Sequence, residues 1–256
     1  MVGKVIIYKK SCDSTNSYAK YLISMDFHKL LDGAVIITDN QFSGKGQHGN
    51  TWYSEPGKNL TFSIIIYPKF ISLNKSYYLN LIATTSVYRV LQNFFDINCL
   101  KIKWPNDIMF DTDKICGILI ENSVCTQAIY SSIVGIGVNV NQKKFVHERV
   151  TSLSLILKRD LPKNQILDKI ILSFNDEYNA LISDCDYIKS IKQFYLKNLY
   201  WAHEPHVFND HIKNFVGIIV GIDNLGRLLV SSEYHKINKN STGLKSYDIK
   251  QIVFVR

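Results

Sequence analysis

The sequence predicts an α+β protein, with one mixed sheet flanked by helices and a small β-barrel at the C-terminal end. Two observations carry this. Up to about residue 200, short apolar runs with strand-like spacing are interleaved with longer runs at helical spacing. Beyond that point four or five short strand candidates crowd into about 50 residues, the density of a small barrel. The boundary therefore falls between 1–200 and 201–256. A chain of 256 residues fits this division, because a single core stops growing near about 250–300 residues.

Val5–Tyr8 reads as the first strand. Ser14 or Asp13 is placed to cap the helix that follows, whose apolar face is Tyr18, Tyr21 and Leu22. Ala34–Thr38 is β-rich and opens into a glycine-rich segment. Leu60–Tyr67 is a further strand, and Ser76–Phe95 has helical periodicity with few breakers. Ile102 leads into K-W-P-N-D at Lys103–Asp107, where Pro105 and Asn106 force a turn. Asp107–Phe110 and Lys114–Glu121 form a hairpin around D-T-D, and Ile129–Val140 is a strand with Gly135 and Gly137 inside it. Thr151–Leu199 is helical. In the tail the strands are Val207–Phe208, Phe215–Ile222, Leu228–Ser232 and Ile249–Val255.

Composition excludes several classes of protein. With 46% hydrophobic and 12% aromatic residues, the chain is not disordered as a whole. No apolar run approaches the roughly 18–20 residues of a membrane helix, and the run at Val5–Tyr8 is too short for a signal-peptide core. The cysteines, Cys12, Cys99, Cys116, Cys125 and Cys185, are odd in number and form no C-x-x-C pair, so free thiols in a reducing cytoplasm are expected. His203, His206 and His211 have no thiol or acidic ligand in phase with them and read as surface residues, so no protein metal site is expected. The net charge of +8 is spread, without a run of four basic residues. This favours small anions and an acidic protein partner over DNA or a membrane surface.

Four segments can carry chemistry. Gly44–Trp52 reads G-K-G-Q-H-G-N-T-W, in which three glycines let the backbone approach a ligand and Lys45 adds a cation suited to phosphate or carboxylate. A flexible turn between strands explains the same composition, and the Walker pattern is absent. Lys103 ends a strand before a rigid turn, which fixes its ammonium where negative charge can accumulate. Asp107 either orients Lys103 or stabilises the turn. Gly135–Asn139, G-I-G-V-N, marks a bulge or a close approach within a strand, and Asn139 offers the donor and acceptor that an adenine edge needs. Ser14–Asn16 is explained by a helix cap alone unless the fold brings it to a site.

Taken in order, S-T-N, Q-x-x-G-K-G-x-x-G-x-x-W, K-W-P-N-D, K-I-C-G-I-L-I-E and G-I-G-V-N resemble the biotin–protein ligases from about Val5 to Asn141. The related lipoate ligases lack the tryptophan–proline pair. The resemblance implies the sheet of class II aminoacyl-tRNA synthetases and biotin synthetases, with an SH3-like C-terminal barrel. It implies activation of biotin by ATP and Mg²⁺ to biotinyl-5′-AMP, and transfer to a lysine of a biotin carboxyl carrier protein or domain, as in an acyl-CoA carboxylase. Lys103 and Lys45 are then the catalytic cations. Ser14, Thr15 and Gln41 meet the ureido ring with Asn16 beside them, and Gly44, Lys45, Gly46 and Gln47 close over the ligand. Ile108, Gly135 and Gly137 line the thiophane and valeryl part. Trp52 stacks on adenine, Asn139 reads its edge, His48 and Gly49 complete the adenylate site, and Asp107 and Asp96 stand behind the reacting groups.

The loop departs from the family's common G-R-G-R: Lys45 keeps one charge without the arginine fork, and Gln47 carries none. Because the pattern begins at Val5, an N-terminal DNA-binding domain is not expected, and a homodimer is left open. The rival readings are a lipoate or octanoate ligase and a non-catalytic biotin sensor.

Overall fold

Alternating apolar residues sort the first 140 positions into one sheet. The computed structural model describes residues 1–25, 31–96, 99–184, 186–232 and 243–255; Cys185 and the His48 side chain lie outside that description. The strands are β1 (Ile6–Cys12), β2 (Val35–Gln41), β3 (Leu60–Ile66), β4 (Leu100–Lys103), β5 (Asp107–Phe110), β6 (Asp113–Cys125) and β7 (Ala128–Val138), in the order β1-β2-β3-β7-β6-β5-β4. β1 and β2 are parallel and every other neighbour is antiparallel. The parallel pair needs a crossover, and α1 (Thr15–Ser24) lies within it. The expected mixed sheet is present.

One face of the sheet is a continuous core. Leu60, Phe62, Ile64 and Ile66 of β3 join Val134, Ile136 and Val138 of β7 there, under α2 (Tyr77–Leu91), α4 (Lys163–Ser183) and α5 (Tyr187–Lys197). A short helix, α3 (Leu153–Leu157), precedes α4. Phe62 and Phe174 are fully buried, which removes from water surface worth about 1.5–3 kcal/mol each. On the opposite face α1 packs Ala19 against Ile36, Ile65 and Ile133. Tyr18 and Leu22 join that cluster, but Tyr21 is exposed, so the apolar stripe of α1 is narrower than its spacing suggests.

Ser14 occupies the N-cap of α1 without making a capping hydrogen bond through its side chain. Instead the Thr15 N–H donates to Gln41 Oε1 at 2.9 Å. A residue at the end of β2 thus satisfies one of the helix's unpaired donors, and the Ser14 hydroxyl stays available to the cavity described below.

A second sheet of five strands follows: β8 (Pro205–Asn209), β9 (Asn214–Ile222), β10 (Leu228–Ser231), β11 (Leu244–Tyr247) and β12 (Val253–Phe254), ordered β11-β10-β9-β8-β12. Among the described residues its end strands do not pair with each other, so the sheet is open and the expected closed SH3-like barrel is not found. The reason is local. Ile249–Val255, expected to be a strand, begins as a turn in which the Gln251 N–H donates to the Asp248 carbonyl at 2.8 Å, and only two residues pair with β8. His206 also departs from expectation, being stacked on Trp201 with ring centroids 4.1 Å apart.

The two sheets are joined tightly. Asn198 and Tyr200 cover the edge of β4, with the Ile102 N–H donating to the Asn198 carbonyl and the Tyr200 N–H to the Ile102 carbonyl, both at 2.8 Å. The turn before β10 places Gly226 against α2, where a Cβ would sit 2.5 Å from that of Tyr77. Its carbonyl accepts a hydrogen bond from Trp104 Nε1 at 2.9 Å. Among the described residues no helix is long and apolar enough to cross a membrane, which leaves strands untested in that respect.

Candidate active site

A single cross-strand row organises the site. Lys103 pairs with Asp107, Asp107 with Gly117, Gly117 with Gly137, Gly137 with Thr61, and Thr61 with Thr38. Residues directly opposite one another share a face, so this row runs across the face left open beside α1. Two residues along, Leu119, Gly135, Ser63 and Ile36 form the next row. Above these rows lies a cavity of about 320 Å³, within the range that holds a small ligand.

One end of the cavity is polar and buried. Ser63 Oγ lies 2.7 Å from Thr15 Oγ1 and 2.6 Å from Asn16 Oδ1. Asn16 Nδ2 donates to Glu121 at 2.8 Å, and Lys20 pairs with the other oxygen of that carboxylate. This fixes which way the Asn16 amide points. Gly135 makes the arrangement possible, because a Cβ there would stand 2.3 Å from Asn16 Oδ1. Burial alone raises the Glu121 pKa, but hydrogen bonds from Lys20 and Asn16, helped by the charges of Lys20 and Lys45, outweigh it and hold the carboxyl below its usual range.

The other end is aromatic and more open. The glycine-rich segment is a tight hairpin rather than a free turn: Lys45 bridges Thr51, the Gly46 N–H donates to the Asn50 carbonyl at 2.7 Å, and Trp52 N–H to the Gly44 carbonyl at 2.9 Å. It lays the Trp52 indole on two strands, where a Cβ at Gly137 or Gly117 would come within 2.5 or 2.9 Å of the ring. Lys114 Nζ stands 5.4 Å from the ring centroid and 2.6 Å from Asp107 Oδ1. Trp52 Nε1 is buried without a hydrogen-bond partner among the described residues.

Most of the expected residues converge here. Ser14, Thr15, Asn16 and Gln41 line the polar end, and Lys45, Gly46, Gln47 and Trp52 the loop side. Lys103, Asp107, Gly135 and Gly137 complete the wall and floor. Gly44 lies behind the wall, its added Cβ 2.2 Å from the Trp52 carbonyl oxygen, so its role is to close the hairpin. Gly49 also lies outside the lining; its φ of +85° turns the loop. Ile108 is fully buried in the helical core because it is adjacent to Asp107 and so points to the opposite face.

Other expectations change as well. Asp107 pairs with Lys114, a partner that the sequence reading did not offer. Asp96 lies at the far end of β4, its carbonyl accepting from the Cys99 N–H at 3.1 Å, and the strand separates it from Lys103 by about 3.3 Å per residue. Asn139 is 1% exposed and outside the lining; its Nδ2 donates to the Thr151 carbonyl at 3.0 Å, while Oδ1 has no partner among the described residues.

Other residues were not foreseen. Lys114, Gly117 and Glu121 all stand in K-I-C-G-I-L-I-E, and strand alternation could have separated Gly117, Leu119 and Glu121 from the core-facing Cys116, Ile118 and Ile120. Ile249, Ile252, Val253 and Phe254 reach the cavity from the second sheet, and no sequence signal marks them. Among the described residues, no three His, Cys, Asp or Glu side chains are grouped to hold a metal ion.

Residues 8–139 match the model of the biotin/lipoate A/B protein ligase family. The bifunctional ligase/repressor BirA of Bacillus spizizenii is 28% identical over 239 residues, covering 91% of this chain and 71% of that protein. The biotin--[acetyl-CoA-carboxylase] ligase of Paracoccus denitrificans is 32% identical over 133 residues, half of each chain. The structure of the Aquifex aeolicus biotin protein ligase in complex with biotin and ATP aligns with a TM-score of 0.79 at 26% identity, over 99% of both chains. With the family model spanning just over half of its length and these likenesses reaching across both sheets, the chain belongs to the biotin/lipoate A/B protein ligase family.

Proposed function

We propose that the chain is an ATP-dependent biotin–protein ligase, with residues 1–200 as its catalytic domain and 201–256 as its C-terminal domain. The observation that carries this is the placement of Lys103, the fixed Trp52 and the buried Ser14–Thr15–Asn16–Gln41 cluster around one cavity, in a chain whose relatives include proteins named as biotin ligases. In the first step a biotin carboxylate oxygen attacks the α-phosphorus of ATP and pyrophosphate leaves. Both partners are anions, so the step is opposed by repulsion. The ammonium groups of Lys103 and Lys45 offset it, and the cavity holds the two in line.

The polar end suits a ureido group. Its hydroxyls and amides both donate and accept, and they are oriented before the ligand arrives. Trp52 offers a face for the adenine. In the second step the acceptor lysine's neutral amine attacks the carbonyl and AMP departs, with Lys103 countering charge on the leaving phosphate. The acceptor is a biotin carrier protein or domain of a carboxylase. Mg²⁺ would enter with the polyphosphate, since among the described residues no three His, Cys, Asp or Glu side chains are grouped to hold it. ATP–pyrophosphate exchange tests the reading, with biotin and lipoate compared. Exchange with biotin, followed by transfer of labelled biotin to a carrier domain, is expected; exchange with lipoate alone would overturn it.

A further inference from the structure

The second sheet reaches the lysine on which the chemistry rests. Lys103 Nζ stands 5.0 Å from the centroid of the Phe254 ring, inside the roughly 6 Å at which an aromatic face attracts a cation. The ring is itself braced. Its centroid lies 5.5 Å from that of Trp201 and 5.3 Å from that of Phe208, in edge-to-face contact with the latter, whose backbone pairs with it between β12 and β8. The next residue of the turn, Trp104, is hydrogen-bonded to Gly226 of the same sheet. Two consecutive residues of K-W-P-N-D are therefore gripped from outside their own strand.

We propose that Phe254 is a positioning residue for Lys103, holding its ammonium over the cavity before the substrates arrive. The proposal rests on the ligase reading and adds to it a residue from the far end of the chain. The chemistry favours a ring for this task. A lysine side chain has much rotamer freedom to lose, and losing it in advance raises rate more than affinity. An aromatic face attracts the cation through its quadrupole and leaves the net charge intact.

The test replaces Phe254 by mono-, di- and trifluorophenylalanine, which drain the ring face of electron density at nearly constant size. Biotin-dependent ATP–pyrophosphate exchange should lose kcat stepwise along the series, by about 3- to 30-fold at its end. KM for biotin should move by less than about twofold. Phe254→Trp should retain activity, and Phe254→Leu should fall as far as the trifluoro ring does. A kcat that stays flat along the series overturns the proposal, because packing alone is indifferent to fluorination. Nuclear magnetic resonance separates this outcome from failure of the ligase reading. If the native chain gives no biotin-dependent exchange, that reading fails, while the contact is still read directly. The Lys103 Cε protons, assigned with Lys103→Arg, should be shifted upfield by the ring and return in Phe254→Leu; unshifted protons overturn the contact.

Discussion

The two ends of the cavity are built on different terms. At the polar end Thr15, Asn16, Gln41 and Ser63 are already hydrogen-bonded to one another, and Glu121 and Lys20 brace them from behind. At the aromatic end the loop places Trp52 on a glycine floor, but its Nε1 lacks a partner among the described residues. The Lys114–Asp107 pair beside it is partly exposed. The first end is pre-organised, so little reorganisation opposes binding there. The second relies on a hairpin that a ligand can complete.

The largest expected effect lies at Lys103, which shares its cross-strand row with the glycine floor. Lys103→Ala should lower biotin-dependent pyrophosphate exchange by about 10²–10³-fold. Full activity in this variant would remove the common chemistry that makes the comparison meaningful. Next, Gly135→Ala drives a methyl to 2.3 Å from Asn16 Oδ1 and should raise KM for biotin by about 10- to 100-fold, with KM for ATP nearly unchanged. Gly137→Ala lifts Trp52 off its floor, where the added carbon would stand 2.5 Å from the ring, and should raise KM for ATP about tenfold while sparing biotin. Steady-state kinetics in both substrates decides the matter: if each glycine variant raises both constants together, the two ends are one unit.

Smaller effects sharpen the picture. The Glu121 pKa is lowered by its partners, so its stabilising contribution is present above the carboxylate's ordinary pKa and is lost as pH falls through the lower, folded value. Glu121→Gln should therefore reduce Tm near about pH 7, and the gap to the native chain should close on acidification toward about pH 3. A gap independent of pH in thermal melts would show that the charge is immaterial. Last, Gln47→Arg should slow adenylate release a few-fold in rapid-quench measurements by restoring a charged fork to the loop. Equal release rates would place Gln47 outside the phosphate's reach.

Much of this was legible because particular residues carry backbone constraints in their type. Gly135 and Gly137 announced a close approach, and the approaching groups prove to be Asn16 and Trp52. What stayed hidden depends on distant pairing. That Asn139 would spend its donor on the Thr151 carbonyl required knowing where the chain returns after β7. Asp96 looked near Lys103 in sequence, yet β4 runs between them. The closed barrel failed because the polar strand Leu244–Tyr247 and the turn at Asp248–Gln251 were invisible to apolar periodicity. Phe254 reads as one more tail hydrophobe until the second sheet is docked.

The row from Lys103 to Thr38 has a consequence for how the site can be lost. Its members come from six strands, and the pairing register keeps them in line. Inserting one residue in the Asp111–Asp113 turn or in β5 would shift the pairing by one and send Asp107 to the helical side, while every residue of the site remained in the sequence. Deleterious changes in this enzyme should therefore include single-residue insertions and deletions in hairpins that touch no substrate, and sequence comparison restricted to the motifs would score such a chain as intact.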